Sequence, residues 1–323
     1  MKKIVFNGFR HGHVNGLYKA AKACADIEII GCYEPNEAAR TVASATLGAD
    51  IVGDAYAEMM ENADIVAIGG RYGERGAAII EALNAGKHVI SDKPICTSME
   101  ELAEICRLSE EKKLSVICML DLRYTASTQA AKAVLESGEL GEIRNVSFNG
   151  QHCLDYGKRP MWYFEEGMHG GTVNDIAIHG IDLIRYLTGM DITYTDAVRT
   201  WNSYATEEPD FKDCAILMAR LENGAGVMAD VSYSSPSSAL SIPSYWEFRF
   251  WCQRGMMEFG YSSSEVRIYM VGERDVIRVQ GKSTGKSWLT DLLYEMETGD
   301  RAATRSAILS TEQTLWLQSQ AED

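Results

Sequence analysis

The chain has only 6 prolines in 323 residues, no C-x-x-C pair among its 8 cysteines, and fewer basic than acidic side chains, 31 Lys plus Arg against 46 Asp plus Glu. Each scarcity excludes something. A formal charge of −15 argues against a generic nucleic-acid binder, because neutralising phosphates takes clustered Lys and Arg. It leaves small anions open, since backbone groups at a helix start hold a phosphate against the overall field. The cysteines, at 24, 32, 96, 106, 118, 153, 214 and 252, make neither a zinc-type cluster nor a short secreted framework. Most sit in apolar stretches such as Ile30-Gly31-Cys32 and Val116-Ile117-Cys118; they read as small buried hydrophobes, reduced as in a cytosolic protein. No uninterrupted apolar run approaches the ~18 residues of a membrane span. Ile4-Val5-Phe6 turns at once to Asn7-Gly8, too short for a signal-peptide core. A cytoplasmic protein with no membrane and no nucleic-acid partner is expected. Internal repeats and low-complexity segments are also missing, and the one loop cluster is the Ser-rich stretch Ser232 to Ser244.

What is present is ordinary for a globular chain, 46% hydrophobic and 24% charged, long enough for about two domains. Over the first 120 or so residues apolar runs alternate with helical patterns. Ile4-Val5-Phe6, Ile27 to Cys32, Ile65 to Ile68, His88 to Ser91 and Ser115 to Met119 are the runs. Between them lie His13 to Ala25, Glu37 to Leu47, Gly76 to Ala85 and Met99 to Lys112. Continuous apolar strands separated by helices signal a parallel sheet covered on both faces, and right-handed crossovers make it doubly wound. After Arg123 the texture changes. Helical stretches at Thr125 to Ser137 and Asp175 to Leu187 are stopped by Gly138 and Gly189. From Asp196 to Val279 strands dominate, with Asn223-Gly224 between two strand-like runs as a hairpin signal. Trp288 to Glu297 and Ser310 to Gln320 close the chain as helices. The boundary is expected at 121/122, giving a dinucleotide-binding domain over 1–121 and an α+β substrate and oligomerisation domain over 122–323.

Four segments carry candidate chemistry. The turn Gly8-Phe9-Arg10-His11 follows the first strand and leads into a helix, the place where a pyrophosphate sits in dinucleotide folds. The G-x-G-x-x-G pattern is absent, since Arg10 stands two residues after Gly8; a bare structural turn is the alternative. Glu34 follows the second strand, where an acidic residue accepts a ribose 2′-hydroxyl and repels a 2′-phosphate, favouring NAD over NADP; an ordinary turn is again the alternative. Asp92-Lys93-Pro94 ends the strand His88 to Ser91, on the edge where ligands bind in open α/β folds; a plain strand-end loop is the alternative. Finally, Asp175 and His179 are four residues apart and project from one face of a helix. An imidazole accepts and returns a proton near neutral pH, as alcohol oxidation requires. A helix cap at Asn174 or Asp175 and a satisfied core histidine are the rival readings. Asp182 follows His179 by three residues, placed either to orient it or to face solvent. One Asp and one His are too few for a metal site, and none is expected.

In this order the segments resemble the Gfo/Idh/MocA family of nicotinamide-dependent sugar and cyclitol oxidoreductases. Ala85-Gly86-Lys87-His88-Val89-Ile90-Ser91-Asp92-Lys93-Pro94 is similar to the family's A-G-K-H-V-x-x-E-K-P segment, and Gly170-Gly171 through Asp175, His179 and Asp182 to its G-G-x-x-x-D-x-x-x-H-x-x-D. Leu120 to Tyr124 resembles the crossover between the family's domains, and Glu139 to Ile143 its next helix-to-strand turn. The resemblance implies an N-terminal doubly wound Rossmann-type parallel sheet plus a C-terminal α+β domain with an open, mostly antiparallel sheet. It implies hydride transfer between NAD and a hydroxyl carbon of a sugar, sugar acid or cyclitol. His179 would be the acid/base, with Lys93 and Asp175 supporting proton transfer and orienting the substrate. Arg123, Trp162 and Asn174 are further candidates for holding that substrate, and Gly8, Phe9, Arg10, His11, Glu34 and Lys93 for holding NAD.

The chain departs from the family pattern in four places, one of them Ala126, where the family often has Pro. The glycine loop lacks its second and third glycines in register, Asp92 replaces Glu, and Gly69 to Arg75 replaces T-P-N-x-x-H with Arg75 in the histidine's place. An open sheet face would expose apolar surface unless covered, so a homodimer or homotetramer is expected. Two rivals to the dehydrogenase remain: an NAD-dependent, redox-assisted glycoside hydrolase of the same fold, and a non-catalytic sensor of NAD or sugar.

Overall fold

A computed structural model describes residues 1–238, 242 and 245–322. Part of the Ser-rich stretch therefore lies outside the described residues. The chain divides into two units, one of Met1–Met119, Gly167–Gly170 and Ser287–Thr311, the other of Leu120–Glu166, Gly171–Lys286 and Glu312–Asp323.

In the first unit the apolar runs become β1 (Lys2–Asn7), β2 (Ile27–Tyr33), β3 (Ile65–Ile68), β4 (His88–Ser91) and β5 (Val116–Cys118). They pair in parallel in the order β2-β1-β3-β4-β5. Every residue of β3 is buried, as a strand covered on both faces must be. The connections are α1 (His13–Ala23), α2 (Glu37–Leu47), α3 (Tyr56–Glu61), α4 (Tyr72–Asn84) and α5 (Met99–Lys112). Local chemistry sets their ends. Asn36 and Ser98 accept the amides of Ala39 and Glu101 to start α2 and α5, which meets donors the helix leaves orphaned. The strand order reverses beside β1, so the carboxyl ends of β1 and β3 form the topological switch point where such sheets bind ligands.

Two late helices are α8 (Trp288–Thr298) and α9 (Ala302–Ser319). The second begins eight residues before the sequence pattern suggests. Leu289 and Leu292 of α8 join the core that holds Ile117 and Met119. Buried Glu295 accepts from the amide of Thr304 (2.8 Å) and from its hydroxyl (2.5 Å). The same hydroxyl oxygen accepts the amide of Val116 in edge strand β5 at 3.0 Å. Residues 287–311 thus belong to the first unit, whereas the 121/122 boundary would assign them to the second.

The second unit contains α6 (Ala126–Glu136), β6 (Ile143–Gln151), α7 (Ile178–Thr188), β7 (Ile192–Trp201), β8 (Cys214–Leu221) and β9 (Gly226–Ser232). It continues with β10 (Glu247–Cys252), β11 (Gly255–Gly260), β12 (Glu265–Met270), β13 (Ile277–Gln280) and β14 (Ala321–Glu322). These form one open nine-stranded sheet, β13-β12-β11-β10-β6-β9-β8-β7-β14. It is antiparallel except where β6 pairs with β9 and β14 with β7. Asn223-Gly224 does turn β8 into β9, which pair from Cys214 opposite Ser232 to Arg220 opposite Gly226. Helices α6 and α7 pack on the β11–β12 pair and on β6, and Gly189 ends α7 with φ 71°. Along β8 the residues alternate, Leu217, Ala219 and Leu221 buried against Ile216 and Met218 exposed, the period-two signature of a sheet covered on one face. No helix among the described residues is long and apolar enough to cross a membrane, and all eight cysteines are free thiols.

Candidate functional site

In the first unit the switch point is built from glycines. Gly8 ends β1 with φ 91°, a conformation only glycine takes without strain. A Cβ there would lie 2.6 Å from the amide nitrogen of Gly70, and one on Gly69 would lie 2.4 Å from the carbonyl oxygen of Gly8. The two turns touch backbone to backbone, and Arg10 donates its amide to Gly69 O at 2.9 Å. This close crossing accounts for the glycine at position 8. Glu34 is fully buried beside the loop, its Oε2 accepting the amide of Phe9 (2.7 Å) and its Oε1 that of Asn36 (2.9 Å). A carboxylate offers about four acceptor sites, and these two amides take two of them. The turn, the start of α1 and an acidic side chain at the end of β2 fit a dinucleotide without a 2′-phosphate.

Beside this loop, Asp92 receives four donors. They are His11 Nδ1 (2.7 Å), His13 Nδ1 (3.1 Å), Arg75 Nη2 (2.8 Å) and the amide of Lys93 (2.8 Å). Burial alone would raise the Asp92 carboxyl; Arg75, then His11 and His13, override it and hold the group well below the usual carboxylate range. An ionised carboxylate only accepts, so both imidazoles present Nδ1–H to it. Burial pushes His11 down to about 4 against the opposing pull of Asp92. The ligand atoms of His11, His13 and Asp92 lie within 4.8 Å of one another. A cation there would have to displace both imidazole protons and face the guanidinium on the same carboxylate. Hydrogen bonding satisfies this cluster, and a metal does not fit it well.

Lys93 is 2% exposed. Its ammonium lies 5.9 Å from the centroid of the Tyr72 ring, and the Arg75 guanidinium lies 4.4 Å from the same centroid. The His11 ring (5.6 Å) and the His169 ring (5.8 Å) also stand against Tyr72.

The second unit gathers the other candidates at the start of α7. One wide turn, Val173–Ala177, precedes it, a feature frequent at functional sites. Neither Asn174 nor Asp175 caps the helix, because the wide turn carries the chain past both into α7. The amides of Val173 and Asn174 donate to Gln318 Oε1 at 3.0 and 3.3 Å. Asp175 Oδ2 accepts the hydroxyl of Tyr233, just beyond β9. Burial, then Asp175, pushes that phenol well above its ordinary range, so it remains a donor. The Arg159 guanidinium lies 5.1 Å from the Tyr233 ring centroid and 4.5 Å from that of Tyr163. His179, buried one helical turn on from Asp175, packs edge-on to Trp246 at 5.4 Å.

Asp182 does not face solvent: it forms a buried fork with Arg123, whose Nε is 2.6 Å from Oδ2 and whose Nη2 reaches Oδ1. Arg123 is therefore committed to an ion pair between the single turn Asp121–Tyr124 and α7. Trp162 is buried with its ring centroid 4.2 Å from that of Tyr163, a packing contact.

Four residues carry more of this geometry than the sequence patterns convey. Asp92 and Arg75 stand out only as departures from a motif, and His13 only as a neighbour of His11. Tyr233 has no local signal at all, being 58 residues from the carboxylate it binds.

Comparison with known proteins agrees with this architecture. Residues 5–120 match a model described as an oxidoreductase family, NAD-binding Rossmann fold, and residues 128–258 match the GFO/IDH/MocA C-terminal domain. Levoglucosan dehydrogenase of Pseudarthrobacter phenanthrenivorans is 32% identical over 127 residues, 38% of this chain and 32% of that protein. The NAD(+)-dependent scyllo-inositol 2-dehydrogenase of Bacillus subtilis is 29% identical over 164 residues, 50% of this chain and 46% of that protein. The chain thus spans a third to a half of the length of these curated relatives. A solved structure from Erwinia carotovora atroseptica SCRI1043 superposes with a TM-score of 0.88 at 20% identity, covering 100% of this chain and 99% of that one. With a glycine-crossed switch point in one unit, an open mixed sheet in the other and a matching model over each, the chain belongs to the Gfo/Idh/MocA family.

Proposed function

We propose that the protein is an NAD-dependent oxidoreductase acting on a hydroxyl carbon of a sugar, sugar acid or cyclitol, with Lys93, Asp175 and His179 handling the proton. One observation carries the reading: all three ionisable side chains are nearly fully buried, at 2%, 2% and 5% exposure. Burying such groups is costly, and buried ionisable groups cluster at functional sites; these three also stand at the positions of the two long family motifs. The relatives that dehydrogenate levoglucosan and scyllo-inositol support the same class of substrate.

Gly8, Phe9, Arg10, His11, Glu34 and Lys93 would hold NAD, which when bound would supply a two-electron acceptor for the hydride. His179 takes the hydroxyl proton as the carbon becomes a carbonyl, and returns it in the reverse direction. Asp175, fixed by Tyr233, orients the hydroxyl, and Lys93 stabilises negative charge developing on its oxygen. Asn174 contributes to holding the substrate. Arg123 serves the same end through the Asp182 pair, and Trp162 through its packing on Tyr163.

Homo-oligomerisation, as a dimer or tetramer, is part of the proposal. It is supported by the exposed apolar residues Ile216, Met218, Met228 and Trp251 on the sheet of the second unit. A cytoplasmic location is supported by eight thiols left unpaired.

The test is an absorbance assay at the reduced-nicotinamide band with NAD and a panel of sugars, sugar acids and inositols. A polyol-dependent rise supports the proposal. Tight NAD binding with no rise on any polyol refutes it in favour of a sensor, and glycoside cleavage without net reduction refutes it in favour of a hydrolase.

A further inference from the structure

We propose that Arg75 is a positioning residue whose guanidinium fixes the Asp92-Lys93-Pro94 segment and so sets where the Lys93 ammonium stands. This rests on the reading that Lys93 takes part in the reaction. Arg75 is completely buried, and its donors are spent on the ends of two strands. Nε donates to Gly70 O at 3.0 Å, beyond β3. Nη1 donates to Lys93 O at 2.5 Å and to Pro94 O at 3.1 Å, and Nη2 to Asp92 Oδ2 at 2.8 Å, beyond β4. Three consecutive residues around the lysine are thereby tied to one planar group.

A lysine does not replace it: an ammonium has three donors at one point, whereas these four acceptors lie around a fork. The ion pair is also necessary in this place, since a buried guanidinium needs its counter-charge. Asp92 supplies it and passes the restraint to the amide of Lys93 through Oδ1. Tyr72 completes the arrangement, with Arg75 and Lys93 both over its ring. The backbone of Lys93 is thus held at its carbonyl by Arg75 and at its amide by Asp92, with its ammonium 5.9 Å from the Tyr72 ring centroid.

Two readouts on the full-length protein test this. In Arg75→Lys, kcat for the polyol giving the largest signal, measured at saturating NAD, should fall about 30-fold, as displacement of a reacting group costs. In Arg75→Ala, added methylguanidinium should recover a measurable part of kcat. The second readout needs no substrate. Trace acylation with acetic anhydride, followed by peptide mass spectrometry, should show Lys93 modified several-fold faster in Arg75→Lys than in wild type, with Lys87 as an internal reference. Folded Arg75→Lys with unchanged kcat and unchanged Lys93 labelling overturns the proposal, as does a loss of kcat that methylguanidinium leaves untouched. If Arg75→Lys fails to fold, by circular dichroism, the same readouts on Arg75→Gln decide it. If wild type reduces no NAD with any polyol, the functional reading fails, and the labelling rates alone still judge whether Arg75 holds Lys93.

Discussion

Replacing Glu34 separates the loop-bracing role that its hydrogen bonds show from the proposed role of holding NAD. Its Oε2 takes the buried amide of Phe9 at 2.7 Å and its Oε1 the half-exposed amide of Asn36 at 2.9 Å. In Glu34→Ala the Phe9 amide keeps no acceptor, at about 2–3 kcal/mol for a bond to a charged group. The Asn36 amide turns to water at about 0.5 kcal/mol. The sum, about 3 kcal/mol, corresponds to a fall in Tm of roughly 6–12 °C for a folding unit of this size. Glu34→Gln should lose nearly as much, because its single oxygen serves one amide and its NH2 group faces the other. Differential scanning fluorimetry measures this effect in the absence of cofactor. Calorimetric titration measures the second: NAD affinity should fall more than NADP affinity, narrowing the preference between them. A Tm within two degrees of wild type, with both variants folded, would falsify the structural role. An unaltered NAD-to-NADP ratio would leave Glu34 as a brace for the loop and nothing more.

Three further outcomes are expected. His11 is held neutral because burial pushes it down to about 4, against about 6.5 unfolded. Stability is full above pH 6.5 and declines as the pH falls toward 4, by no more than about 3 kcal/mol; thermal melts of His11→Gln should show a flatter acid limb, and parallel limbs would contradict the assignment. His179→Ala should lower kcat by roughly 10²–10⁴, measured on the polyol giving the largest signal; unchanged turnover removes the imidazole from the proposed chemistry. Met218 and Met228, paired across β8 and β9 on the exposed face, should hold subunits together, so changing both to Glu should give monomers by light scattering. A wild-type monomer, or a variant of unchanged mass, rejects that interface.

The legible parts of this molecule are those with short-range causes. Strands β1 to β5 follow from apolar runs of a few residues, the β8–β9 turn from Asn223-Gly224, and the end of α7 from Gly189. Glu34 and Lys93 are identifiable because their places at strand ends define ligand-binding edges in a wound sheet. What local patterns do not convey depends on partners distant in sequence. Strand β6 inserts beside β9 in parallel, although the intervening stretch reads as a helix followed by antiparallel strands. Helix α3 is only six residues, too short to leave a periodic signal. The burial of Arg75 comes from acceptors 5 to 19 positions along the chain, and the pinning of Asp175 comes from Tyr233. Side chains of this kind are placed by topology and then satisfied locally, so their roles emerge only once the strands are in register.

Finally, the Thr304 hydroxyl that receives an edge-strand amide, with Glu295 behind it, bears on how the molecule comes into being. The apolar cluster around Ile117 lacks Leu289 and Leu292 until those residues have emerged from the ribosome. A nascent chain that has just completed β5 therefore carries a wound sheet with an uncovered flank. Its maturation waits on synthesis of the intervening second unit. Gene truncations before residue 287 would leave that flank bare in an otherwise intact N-terminal fragment.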